Sequence, residues 1–564
     1  MRYWGLGEAG LFAALWIFVF LFTLYPIGIV YLESFRIPGT NQYGLDNYIT
    51  FLTDPYYYRC FKNSLLLGTL TVITTSLIGI PLAYILARYR LKGKTVFTAL
   101  TLLPILLPPY VGAFAFVIFL GKYGTINLLL QEFGLISEPI NFIYGLHGII
   151  FVETIHLLPF IVLNVAAGIT QIDPSFEEAA EVAGASGLWR TLTVTLPLTL
   201  PNYAAGAFLV FIFTMADWLT PIILGQTDFL ATVAYINIAY HFTDIKRKYM
   251  GIIATVLAAT TCIVALLLAR KYVEMKSYAA LSKGTTAEGR IIPISGWKKA
   301  LAYLYVIVVS SLILISPLVI TMAAFSRRWI LTPFPEYWTL ENIRMLFIEL
   351  PMYIRNTFVF SGVALLMGIP VGIGVAYIVA RSTIPGKDLL DSLFTMILAI
   401  PGIIVGVGYL IGYGSELPLL GFSLAREWIV MPLALCVRRL PYFIRSAYAS
   451  FLQLDKTLEE AAEAIGASKL RVFFTISMPL ILKGVFAGMV MFFIMAMQEI
   501  SSTIFLYKPG WQTMPIGIFY QWHRGTEFGV PAALAFLMIV ITFSLLMIIS
   551  RLGQRVLGGA FSAA

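Results

Sequence analysis

Hydrophobic residues in this chain neither alternate with polar ones nor keep to one helical face. They run on continuously for twenty residues or more and then stop at short polar breaks. About 20 residues at roughly 1.5 Å each span a bilayer core. Backbone groups in hydrocarbon must bond within their own structure, and continuous rather than alternating runs select helices over a barrel. Marking the runs predicts twelve membrane-spanning helices, near 11–32, 64–87, 95–120, 145–167, 201–225, 249–269, 300–325, 356–380, 388–413, 428–450, 482–507 and 528–550. The first run is too long for the core of a secretory signal and counts as a span.

The twelve fall into two similar halves. AYILAR at 83–88 returns as AYIVAR at 376–381, 293 positions on, and a Gly-Lys pair follows each. EEAAEVAGAS at 177–186 returns as EEAAEAIGAS at 459–468, 282 positions on. The second half is therefore shorter, most simply in the loop at 121–144. Six spans per half is an even number, so both halves enter the membrane in the same direction, as a parallel repeat. The expected fold is an all-α polytopic membrane protein. Residues 1–269 form one six-helix domain, 270–299 a polar, basic linker, and 300–564 a second six-helix domain.

Composition agrees: 59% of residues are hydrophobic and 12% charged, with a mean hydropathy of +0.87. No soluble surface can be covered from that stock. The net charge of +9 would suggest nucleic acid in a soluble chain. Here it reads as lysine and arginine at loop ends facing the cytoplasm, with lipid and not nucleic acid as the partner. Arg88, Arg90, Lys92 and Lys94 crowd the loop after the second span. Arg270, Lys271, Lys276, Lys283, Arg290, Lys298 and Lys299 load the linker. Placing both in the cytoplasm puts the two chain termini there too; only Lys246, Arg247 and Lys248 then fall outside. Three scattered cysteines exclude a disulfide framework, and four histidines show no ligand spacing.

The doubled acidic segments, at 175–197 and 457–479, stand out from the apolar background. Ser175-x-x-Glu178 and Thr457-x-x-Glu460 fit a capping box, with Asp173 a competing cap in the first copy. Alanines extend each helix, Gly184 and Gly466 end it, and Ser186 and Ser468 stand ready to cap a second short helix that runs to Pro197 and Pro479. Two copies, capped alike and placed alike, read as two docking sites for a symmetric partner. An amphipathic helix lying on lipid would favour basic residues instead.

The strings E-A-A-x-x-x-G-A-S at 178–186 and 460–468, each followed by a proline, resemble the EAA loop of ABC-importer permeases. The likeness covers both halves. It implies two fused permease domains, with Glu178, Ala179, Ala180 and Gly184 as one site coupling to an ATPase and Glu460, Ala461, Ala462 and Gly466 as the other. It further implies two copies of a cytoplasmic ABC ATPase, a substrate-binding protein outside, and a home in the cell inner membrane. The stretch LLPILLPPYVGAFAF is most like ferric-iron importer permeases; thiamine, polyamine and phosphonate importers share the wider group.

The chain itself carries no ATP chemistry. LKGKT at 91–95 lacks the glycine that a phosphate-binding loop places five residues earlier, where Arg88 stands. A non-enzymatic subunit binding no cofactor is expected, with ATP used by the partner. In the membrane, ionisable residues invite a reason. Glu153 and His156 sit in the fourth span. Asp217 in the fifth aligns with Glu499, and these acids are candidates to flank a pathway for a cation; helix–helix hydrogen bonding is the plainer role. Arg438 and Arg439 are expected to reach the interface. Pro108 and Pro401 break helices at matching places. A gradient-driven carrier or channel is the alternative class, and the doubled coupling segment counts against it.

Overall fold

The computed structural model describes residues 6–241, 243–277, 291–416, 421–524 and 528–554. Residues 278–290, the centre of the expected linker, lie outside that set, as do the extreme termini. Among the described residues ten helices are long and apolar enough to cross a membrane, from Gly7–Ser34 to Gly529–Ile548. An eleventh candidate is a bent pair, Lys387–Ala399 and Gly402–Gly412, meeting at 106°. The remaining expected span is the 24-residue helix Val430–Gln453, which holds Arg438, Arg439 and Arg445 and is not among the apolar set.

The proline breaks are where the sequence puts them. The third span divides into Lys94–Leu102, a short 3-10 turn and Pro109–Leu120. Leu107 and Ile400, each preceding a proline, are both extended, at ψ 125° and 122°. A proline lacks the amide that would continue the helix and pushes its predecessor out of helical geometry.

Two compact units result, and each mixes the halves of the sequence. One is built from residues up to 47, from 343–525 and from 537 on; the other is built from 48–342 and 526–536. In the first unit the opening span lies on Gly402–Gly412: the Tyr409 hydroxyl donates to the Phe22 carbonyl at 2.7 Å, Tyr25 to Gly412 at 3.0 Å. In the second unit the seventh span, Gly296–Ala324, lies on Pro109–Leu120 of the third, and its Tyr305 hydroxyl donates to the Ile78 carbonyl of the neighbouring second span at 2.8 Å. Each half's first helix therefore packs on the broken third span of the other half.

Elsewhere the halves pack alike. A Cβ on Gly79 would come within 2.7 Å of Ile161, and one on the aligned Gly372 within 2.3 Å of Phe443, the residue aligned with Ile161. Small residues let the second and fourth spans approach closely in both units, the usual device where hydrophobic burial cannot drive helix association.

Candidate functional site

Each acidic segment forms a nine-residue helix, Pro174–Val182 and Lys456–Ala464. The caps are aspartates, which corrects the expected capping box. The Asp173 carboxylate accepts from the Ser175 amide at 2.9 Å, and Asp455 from Thr457 at 3.0 Å. Those bonds hold both carboxyls below their usual range. An aspartate at the cap reaches the first free amides without the longer excursion that the glutamate of a box requires. Gly184 and Gly466 take φ of 90° and 93°. Ala185 donates back to Ala180 and Gly184 to Glu181, at 2.8 and 2.9 Å. Ala467 and Gly466 repeat the pattern at 3.1 and 3.0 Å, so both helices end in the same left-handed motif.

Beyond the glycine the chain departs from expectation. No separate short helix stops at the proline. Gly187–Ala216 and Lys469–Met497 are single long spans, each passing through a π-turn, Thr191–Thr195 and Phe473–Ser477, just before Pro197 and Pro479. The acidic helix is thus joined over one glycine turn directly to the fifth span of its half.

Of the residues that the repeat singles out, Glu178 and Glu460 are exposed, as are Ala179, Ala461, Gly184 and Gly466; Ala180 and Ala462 are half-buried. Their neighbours, which sequence reasoning missed, do the bracing. Glu177 is 1% exposed, ion-paired to Arg88 at 2.7 Å and bonded by the Thr195 hydroxyl at 2.9 Å. Glu459 does the same with Arg381 at 2.6 Å and the Ser477 hydroxyl at 2.6 Å. Arg88 and Arg381 end the two copies of AYI[LV]AR, and Thr195 and Ser477 lie in the two π-turns. One carboxylate therefore ties the acidic helix to the end of the second span and the start of the fifth, twice over.

Above this footing the tips are apolar. Val182 and Leu188 are 91% and 73% exposed, Ile465 and Leu470 88% and 72%. The second copy has an added strap: Lys469 pairs with Glu8 of the opening helix at 2.6 Å, and the Ser382 hydroxyl donates to the same carboxylate at 3.3 Å.

Further along the fifth spans the halves part. Asp217 and Glu499 both follow the helix end, after Ala216 and Met497. Glu499 is ion-paired with Arg438 at 3.7 Å and with Arg439, and accepts from the Ser502 amide at 3.1 Å. These two arginines are thus turned inward onto an acid, not out to the interface as the sequence suggested, because a buried carboxylate must be compensated. Asp217 caps the short helix Leu219–Ile223, accepting from Leu219 at 2.9 Å and Thr220 at 3.3 Å, and among the described residues no arginine is ion-paired with it. It faces the buried Glu153 instead. His156, one turn along, bonds the Val152 carbonyl at 2.9 Å and fills the space left by Gly112, where a Cβ would sit 1.8 Å from its ring.

Residues 79–276 and 368–560 each match the family described as the binding-protein-dependent transport system inner membrane component, together more than half of the chain. The ferric transport system permease protein FbpB of Actinobacillus pleuropneumoniae is 26% identical over 94% of this chain and 76% of its own length. A putative FbpB of Haemophilus influenzae is 27% identical over 86% of this chain and 76% of its own. The spermidine/putrescine permease PotB of Haemophilus influenzae is 30% identical, but over 39% of this chain and 78% of its own. This chain therefore belongs to the binding-protein-dependent inner membrane components and carries two of their permease domains in one polypeptide.

Proposed function

We propose that the chain is the permease of an ATP-driven importer whose cargo is ferric iron, handed over by a binding protein outside the cell. Two copies of a cytoplasmic ABC ATPase seat on the acidic helices, and both termini of the chain lie on that side. The chain itself binds no nucleotide and holds no cofactor. The observation that carries this reading is the doubled acidic helix, capped, ended and braced alike in both halves, with a bare apolar tip and an exposed glutamate on each. A two-fold partner needs two equal handles.

ATP closes the ATPase dimer and moves both helices together. The Arg88–Glu177–Thr195 and Arg381–Glu459–Ser477 braces carry that motion into the second and fifth spans, and hydrolysis resets it. Iron as cargo is supported by the ferric permeases among the relatives that match along nearly the whole two-domain chain, where the polyamine permease matches less than half. Among the acids considered for a pathway, Glu499 is engaged by arginines, which leaves Glu153 and Asp217 as the groups facing a passing cation.

The test is affinity purification from the native membrane. The wild-type chain should bring an ATPase subunit with it. Gly184→Pro with Gly466→Pro should lose that subunit while still inserting, because proline cannot take the positive φ both positions require. A chain that purifies alone and transports normally would place it among gradient-driven carriers.

A further inference from the structure

In the first half two acids meet with no arginine or lysine paired to them among the described residues, and the base beside Asp217 is His156. Glu153 is 1% exposed, and neither of its carboxylate oxygens has a hydrogen-bond partner. The short helix Leu219–Ile223, which Asp217 caps, packs against the fourth span and brings Asp217 and Thr220 to Glu153. Asp217 uses Oδ1 on the amides of Leu219 and Thr220, while its Oδ2 is buried and unpartnered. The Thr220 hydroxyl is in the same condition, and so is that of Tyr110, which stands near Asp217 on the broken third span. Four buried oxygens, two from Glu153 and one each from Thr220 and Tyr110, thus lie about the unpartnered Oδ2 of Asp217, and no ion pair among the described residues joins either acid to a base.

The second half shows the same place with its charge supplied. At 282 positions on, Asp217 becomes Glu499, His156 becomes Arg438, Leu157 becomes Arg439 and Glu153 becomes Leu435. Two guanidinium groups there surround one carboxylate. The first half has neither arginine and carries a second acid where the second half has Leu435, so the balance of charged groups differs in sign. Buried carboxylates persist where something positive answers them.

We propose that Glu153 and Asp217 hold a small hard cation, of the alkali or alkaline-earth class, in the position that arginine charge fills in the second half. Carboxylate and hydroxyl oxygens suit such ions. Two carboxylates with hydroxyls, and no third His, Cys, Asp or Glu ligand among the described residues, make an oxygen-only site of low ligand charge. The fifth-span helix ends at this point, so its negative end also favours a cation. The proposal deepens the pathway reading of these two acids and rests on their facing one another, but not on iron as the cargo.

The experiment uses the purified full chain in lipid nanodiscs, with neither ATPase nor binding protein, so its failure leaves the transport reading standing. Sodium, potassium or calcium chloride replaces choline chloride at constant ionic strength, and thermal unfolding is followed. One of these ions should raise the Tm by about 2 °C or more. Glu153→Gln and Asp217→Asn should each abolish the rise, and His156→Arg, which installs the second half's charge, should make the chain insensitive to the ion. Should the variants fail to fold, infrared difference spectra of the wild type decide: the cation should shift a carboxylate band. Indifference of the wild type to all three salts overturns the proposal. So does a rise that survives in both acid variants, or a protonated-carboxyl band that no salt alters, which would mean the two acids share a proton instead.

Discussion

The acidic helices and the far ends of the fifth spans, joined by helices of 30 and 29 residues, show very different amounts of symmetry. The helices agree in cap, terminal glycine, bracing glutamate, partner arginine and partner hydroxyl. The fifth-span ends agree only in carrying an acid: Glu499 is gripped by Arg438 and Arg439, whereas Asp217 confronts Glu153. On the proposed function the difference stems from what each region meets. Two copies of one ATPase demand equal handles, while a single small cargo imposes no two-fold constraint on the route it takes. Selection on the first face preserves the repeat, and the interior is free to specialise.

That contrast yields graded expectations. Glu499→Gln strands two largely buried arginines and should cost about 3–5 kcal/mol of stability in denaturant unfolding. Asp217→Asn strands no base and should cost clearly less; equal losses would mean the two ends are not electrostatically different. Glu177→Gln strands Arg88, which is as buried as its partner, and should approach the same loss of about 3–5 kcal/mol. Glu459→Gln should cost less, because Arg381 and Glu459 keep 8% and 13% exposure. On the proposed function both variants should also uncouple ATP hydrolysis from transport, since the brace fixes the acidic helix to the second and fifth spans.

Lys469→Ala removes the strap to Glu8, found in the second copy. With the lysine 55% exposed it should change stability by about 1 kcal/mol or less. The smallest effect belongs to the caps. Asp173 and Asp455 have carboxyls held below their usual range, so their stabilising bonds are complete above about pH 3.9 and are lost as pH falls through the lowered value. Helicity of both segments should fade together in that window, and Asp173→Asn should shift the dependence of the first copy alone.

Much of this was legible in the chain. Continuous apolar runs located the spans, and prolines located the breaks, because both are local effects. The helix Val430–Gln453 was found by its length of apolar sequence despite three arginines, whose destination no hydropathy could reveal: Arg438 and Arg439 answer Glu499, which for Arg439 lies 60 residues on. Glu177 and Glu459 were passed over for their exposed neighbours. The signal was present, since an arginine repeats at the end of each second span just as the glutamate repeats, but pairing them requires a contact across 89 residues. The packing of each opening helix on the other half left no trace in periodicity either. It is written in tyrosine hydroxyls reaching carbonyls hundreds of residues away.

The decisive measurement is ferric iron uptake into liposomes holding the purified chain, with iron-loaded binding protein outside and with or without the ATPase subunit and ATP inside. Uptake should occur only when ATPase and ATP are both present, and should vanish with Gly184→Pro and Gly466→Pro. Iron entering through the chain alone, with no nucleotide, would show that the acidic helices transmit nothing the transporter needs.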